Sequence, residues 1–354
     1  MTNITEDLVK KDYPFYYSLT NPVKKQVKGG ESVVGFEFEN ETKAPEPFPD
    51  LLHWKYHEEG SLKHCGFELV SSFSLNEKNV EERVVSLFKQ LKEAVKSPFT
   101  NSLRTSTHIH FDFRGKNFLR TTAFCLAYWM LEPFIQYYCG LHRQYNHFCL
   151  RYQDAKNPKY SLLAFFKGKT NPLFQHSVFS DNYRYSSLNL QALAKFGSIE
   201  SRLMRGVDNA EDALIWYNTL KRIKDFTDTF NTPLKLRTFF VVSSSPTAFA
   251  KEILGETLFS LHEDYFPNDL SIDQEIRKNY LSLLDIFQET SIYTDETIEK
   301  IGEFVSNLSL KDFTEAEKYM VNTKPITLLD FGSPSVYLPQ SNIEENPLYL
   351  EQSS

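Results

Sequence analysis

Gly35-Phe36-Glu37-Phe38-Glu39-Asn40 decides how this chain is read. Successive side chains of a strand point to opposite faces, so Phe36 and Phe38 enter a core while Glu37 and Glu39 share the other face. The alternation recurs downstream: Glu68 lies between Phe67 and Leu69, His108 and His110 flank Ile109, and Glu200 and Arg202 follow Ile199. Laid side by side, such strands make a basin of carboxylates and imidazoles, a donor set for hard cations and, through them, phosphates. Each pair alone has an ordinary explanation, since Glu-x-Glu is common on a solvated sheet face and Glu-x-Arg is a common local ion pair. His-x-His tells more, because paired imidazoles are uncommon on an exposed face. The weight comes from recurrence in order, each pair flanked by core residues, within about 170 residues.

The composition fits a protein of this kind. A chain of 354 residues, 41% hydrophobic and 24% charged, predicts one large domain or a domain with an extension, and 30 Phe and 19 Tyr promise an aromatic core. A formal charge of −7, with only the small group Lys24, Lys25 and Lys28, gives no basic stripe for a nucleic-acid backbone. Cys65, Cys125, Cys139 and Cys149 show no Cys-x-x-Cys spacing and read as buried free thiols of a reducing compartment. The first residues lack the apolar run of a signal peptide, so a cytoplasmic location is expected. The most apolar stretch, 118–142, carries Arg120, Glu132 and Pro133, which predicts a bent core helix rather than a membrane span.

Residues 1–30 read as an irregular lead-in, 32–39 as the first strand, and 40–57 as a loop in which Pro45, Pro47 and Pro49 exclude helix. A strand through Gly66–Ser71 precedes an amphipathic helix over about 77–97, capped by Asn76. A third strand, 106–113, leads into helix 118–142 and an irregular stretch, 143–182. Tyr185–Leu193 reads as a strand or short helix, Gly197–Met204 as a strand, and 209–231 as a helix. Further helices are expected at 247–263, 272–289, 295–308 and 312–320. The predicted division is a catalytic domain, 1–245, and a helical C-terminal extension, 246–354.

The ordered set Gly-Phe-Glu-Phe-Glu-Asn (35–40), Glu-Gly-Ser-Leu (59–62) with Gly-Phe-Glu-Leu-Val-Ser (66–71), Ser-Thr-His-Ile-His-Phe-Asp-Phe (106–113), and Tyr183–Leu193 with Gly-Ser-Ile-Glu-Ser-Arg (197–202) resembles the amidoligases. These are a branch of the glutamine synthetase-like carboxylate–amine ligases, and the resemblance covers about residues 32–220. It implies an α+β fold: an antiparallel sheet whose concave face holds ATP and two or more Mg²⁺, with Mn²⁺ as a substitute, and helices packed behind. Carried over, Glu37, His108 and Glu200 would share one ion, and Glu39, Glu68 and Glu59 another. Glu59 stands where the family often has Asp, and Ser201 where it usually has an aromatic residue.

A carboxylate has a poor leaving group, so such ligases phosphorylate it and let an amine attack the acyl phosphate. The protein must neutralise polyphosphate, which cations and guanidinium groups do. Arg202 is the first candidate for stabilising the transferred phosphoryl group and Arg184 the second, with His110 at the carboxylate substrate. Arg143 and Arg151 are candidates for phosphate or substrate-carboxylate contacts, and Tyr185 and Asn189 for the nucleotide. The expected partners are a small-molecule or peptide carboxylate and an amine, with no nucleic acid and no membrane. The alternatives are a phosphotransferase of the same fold, an idle scaffold whose C-terminal helices do the work, and a metal-dependent hydrolase, for which no His-Glu-x-x-His motif or compact triad speaks.

Overall fold

Seven antiparallel strands form the frame that carries these residues: β1 (Val33–Asn40), β2 (Trp54–Glu58), β3 (Phe67–Ser71), β4 (Leu75–Asn76), β5 (Ser106–Asp112), β6 (Leu188–Asn189) and β7 (Ser198–Arg205). They come from a computed structural model that describes residues 33–41, 50–62, 66–71, 75–94, 102–113, 116, 118–154 and 184–290. The order across the sheet is β2-β3-β1-β5-β7-β6, with β4 pairing to the start of β1. Register brings the polar positions level: Glu39 faces Glu68, Glu37 faces His108, and Glu200 lies between His110 and Asn189. Since side chains alternate, these cross-strand neighbours share one face.

The other face is the core. Phe36, Phe67, Ile109, Phe111 and Ile199 are all buried, as alternation requires. Helix α1 (Val80–Ala94) turns Val80, Val84, Leu87, Phe88 and Leu91 toward the sheet, and Phe88 meets Phe38 edge-on at 5.2 Å. Helix α2 (Phe118–Ile135) is mostly apolar and buried over 121–135, short α3 (Gln191–Phe196) leads into β7, and α4 (Ala210–Thr229) lays Tyr217 flat against Phe111 at 5.9 Å. No helix among the described residues is long and apolar enough to cross a membrane.

Several expectations shift. Trp54–Glu58 is a strand inside the segment predicted as loop, whose prolines lie outside the described residues; Trp54 pairs with Ser71 while its ring packs 5.5 Å from Phe38. Asn76 belongs to β4, and α1 starts after a 3₁₀ turn over 77–79. Helix α2 stops at Ile135 rather than 142, since the chain turns through 136–140 to Gly140 at φ +100°, a conformation that favours glycine. Helix α5 (Pro233–Val242) has no counterpart in the sequence reading, although Thr232 caps it and Pro233 opens it, a standard start signal. The predicted helix 247–263 is two, α6 (Pro246–Leu254) and α7 (Glu256–Glu263), broken at Gly255 with φ +77°.

Helix α8 (Ile272–Thr290) packs along α2, where Asn279 donates to the Trp129 carbonyl at 2.5 Å and Tyr152 to that of Ser282 at 3.0 Å. The chain divides into two compact units, Met1–Thr297 and Ile298–Ser354, so the boundary expected at 245 falls inside the first. The predicted lead-in, Cys65, residues 155–182, and the helices expected at 295–308 and 312–320 lie outside the described residues. Cys125, Cys139 and Cys149 are buried free thiols.

Candidate active site

A cavity of about 630 Å³ opens on the polar face of the sheet. Its floor is Glu68 from β3, Glu37 and Glu39 from β1, Ser106, His108 and His110 from β5, and Glu200 and Arg202 from β7. Glu59, Ser61 and Arg104 also line it, as do Phe148, Arg184 and Tyr185, and Asn189, Gln191, Ala192 and Phe196. The turn carrying Glu59 is fixed by Gly66, where a Cβ would stand 2.5 Å from Leu62 Cβ and 2.8 Å from the Asn40 carbonyl. Only glycine permits that approach.

Glu37 is the hub. His108 Nδ1 lies 2.9 Å from its Oε2 and 3.3 Å from Glu200 Oε1, while His110 Nε2 lies 3.2 Å from Glu37 Oε1. Arg202 donates to Glu200 Oε1 at 2.6 Å, and Asn189 to Oε2 at 2.7 Å. His108 Nε2 is 2.6 Å from Ser106 Oγ, whose hydroxyl also donates to Glu39. Two sets could each hold a cation with ligand atoms within 4.8 Å of one another: Glu37, His110 and Glu200, and Glu37, Glu68 and His108. These groups are composed differently from the expected ligand sets: Glu37 belongs to both, His110 stands with Glu37 and Glu200, Glu39 is engaged by Ser106, and Glu59 accepts from the Ser61 amide at 3.0 Å.

Burial and crowding set the charges. Burial pushes Glu68 up, and the neighbouring charges of Glu37, Glu39 and Glu59 add to it, raising its carboxyl to about 8. Burial also raises Glu37, but hydrogen bonds from the two histidines outweigh it and hold this carboxyl well below the usual range. At Glu200 burial is outweighed first by the Arg202 charge, which leaves the carboxyl lowered. His110 is raised because Glu200 and Glu37 overcome the cost of its burial. The floor thus holds one carboxyl that keeps its proton near neutrality beside two that stay ionised, a state a divalent cation would discharge.

At the wall, Arg184 donates to the Tyr185 hydroxyl at 2.7 Å and lies over its ring at 4.7 Å, and His147 and Phe148 stand 5.4 and 5.9 Å from that ring. Arg143 and Arg151, expected near phosphate, are elsewhere. Arg143 is 1% exposed and donates to main-chain carbonyls; Arg151 is tied to Asp154 at 2.6 Å and to Gln136. Both guanidinium groups are already engaged by hydrogen bonds within the fold. Ser106 and Arg104 are floor and rim residues that the sequence reading missed. Ser106 stands two before His108, so strand alternation alone could have placed it on the same face. No family model matches the chain, and neither does any curated protein or solved structure.

Proposed function

We propose that the protein is an ATP- and Mg²⁺-dependent carboxylate–amine ligase of the glutamine synthetase-like kind, forming an amide bond through an acyl phosphate. The observation that carries this reading is the shared carboxylate Glu37, which joins two potential cation groups on one sheet face. Such ions, when bound, would neutralise the polyphosphate and the charge that builds up during phosphoryl transfer. The residues fit them: carboxylates suit Mg²⁺, and the imidazoles of His108 and His110 extend the fit to Mn²⁺.

The chain's own groups account for the rest. Glu37, Glu68, Glu200 and the two histidines hold the ions, and Glu39 and Ser106 keep His108 oriented. Arg202, set beside Glu200, offers a guanidinium to the phosphoryl group in flight. Tyr185, Phe148 and Arg184 offer a stacking and cationic wall for a nucleotide. Substrates are a carboxylate and an amine that meet above the floor.

Hydroxylamine tests the proposal, because it stands in for any amine. The protein, ATP, Mg²⁺ and a panel of carboxylates should give hydroxamate and phosphate together with at least one acid. ATP turnover indifferent to every acid, or none at all, would point to a phosphotransferase or a scaffold instead.

A further inference from the structure

β7 does not run regularly beside β5. Thr107 pairs with Met204 but Ile109 with Ser201, so Arg202 and Leu203 together lie opposite His108. This is a β-bulge: two residues against one, with a local break in the ladder and a change of side-chain aim. Its trace in the sequence is Leu203-Met204, two consecutive apolar residues that are both 0% exposed.

The main-chain carbonyls of both bulge residues are taken by one side chain. Arg143 donates from Nη2 to the Arg202 carbonyl at 2.7 Å and from Nε to that of Leu203 at 3.1 Å, while Nη1 reaches the Thr105 carbonyl, just before β5, at 3.4 Å. The Arg202 amide is held on its other side by the Ser187 carbonyl at 2.8 Å. No carboxylate among the described residues pairs with Arg143, and an unpaired buried charge is costly unless its donors are all used. A planar guanidinium can reach several carbonyls at once, and a lysine ammonium on one flexible stem cannot match that fork.

We propose that Arg143 is a positioning residue: its buried guanidinium fixes the β7 bulge and thereby aims Arg202 at Glu200 and into the basin. Arg143 thus acts on the site without touching anything bound there. The claim about aim stands on the bulge geometry, and only its catalytic consequence rests on the ligase reading.

Two readouts of Arg143→Lys separate those parts. In crystal structures of wild type and variant, the Arg202–Glu200 pair should be present in the first and broken in the second; a variant that keeps both bulge and pair overturns the proposal. In hydroxamate formation, Arg143→Lys should lower kcat about tenfold with KM for ATP nearly unchanged. Combining it with Arg202→Ala should cost no more than Arg202→Ala alone, whereas multiplying losses would mean that Arg143 acts by another route. A wild type that forms no hydroxamate defeats the ligase reading and leaves the crystallographic comparison to decide the aim. If Arg143→Lys does not fold, Arg143→Gln takes its place; failure of both to fold would make Arg143 a stability residue alone and overturn the proposal.

Discussion

Glu37 bears on more of the site than any other side chain, because both potential cation groups use it. Glu37→Gln keeps the shape but removes the charge a hard cation needs, so Mn²⁺ affinity measured by calorimetry should fall at both sites. Glu59→Gln should do far less, since that carboxylate sits at the rim on the Ser61 amide. Arg202→Ala should lower kcat by roughly 10²–10³-fold while ATP affinity changes little, the pattern of a group used mainly in the transition state. Single-turnover kinetics beside nucleotide titration would show it; equal losses in both would make Arg202 a ground-state contact. The face of each of these residues is legible in the sequence from alternation. Which carboxylate meets which histidine is not, because it depends on cross-strand register and on the β7 bulge.

Titration gives a further residue-scale prediction. Glu68 is raised to about 8 and Glu132 to about 7, chiefly by burial, so each keeps in the folded state a proton that the unfolded chain releases earlier. Their stabilisation is complete at low pH and is lost as pH rises through those values, and the raised His110 acts with the same sign. Glu37 and Glu200, both lowered, lose their contribution only under more acid conditions. Buried His262, lowered to about 3, and the lowered His142 act with the opposite sign up to the ordinary histidine value near 6.5, so the melting temperature of the cation-free protein should fall between about pH 6.5 and pH 8.5. Saturating Mg²⁺ or Mn²⁺ should flatten the slope by replacing the Glu68 proton; a cation-free protein whose stability rises over that range would refute the assignment.

Among the elements, α2 explains how a predominantly apolar helix can carry a buried acid. Glu132, 1% exposed, accepts from the Tyr152 amide at 2.8 Å and from the Ser187 hydroxyl, tying the chain at 150–152 to the segment before β6. Glu132→Ala would strand both donors at about 1–3 kcal/mol each. At ~2–4 °C per kcal/mol for a domain of this order, the melting temperature should drop by several degrees, which calorimetry can read. A change within a degree would mean that water replaces the carboxylate. The strands that carry the site were readable because polar and core residues alternate in them. β2 and α5 were not, because the prolines nearby marked breaks more loudly than Trp54-x-Tyr56 or Thr232-Pro233 marked starts.

On the scale of the whole molecule, α6, α7 and α8 belong to the same compact unit as the sheet. Truncation at Ser245 removes α8 and uncovers Trp129 and its neighbours in α2, so the remainder should not fold; ending the chain at Thr297 should leave a cooperative melt. A folded 1–245 fragment would show that α2 needs no cover. The most direct measurement of the proposed chemistry follows an oxygen atom. With the carboxylate substrates labelled with ¹⁸O and supplied with ATP, Mg²⁺ and hydroxylamine, one carboxylate oxygen should appear in inorganic phosphate for each hydroxamate formed. Phosphate released without the label, or label found in AMP, would contradict activation through an acyl phosphate on this sheet.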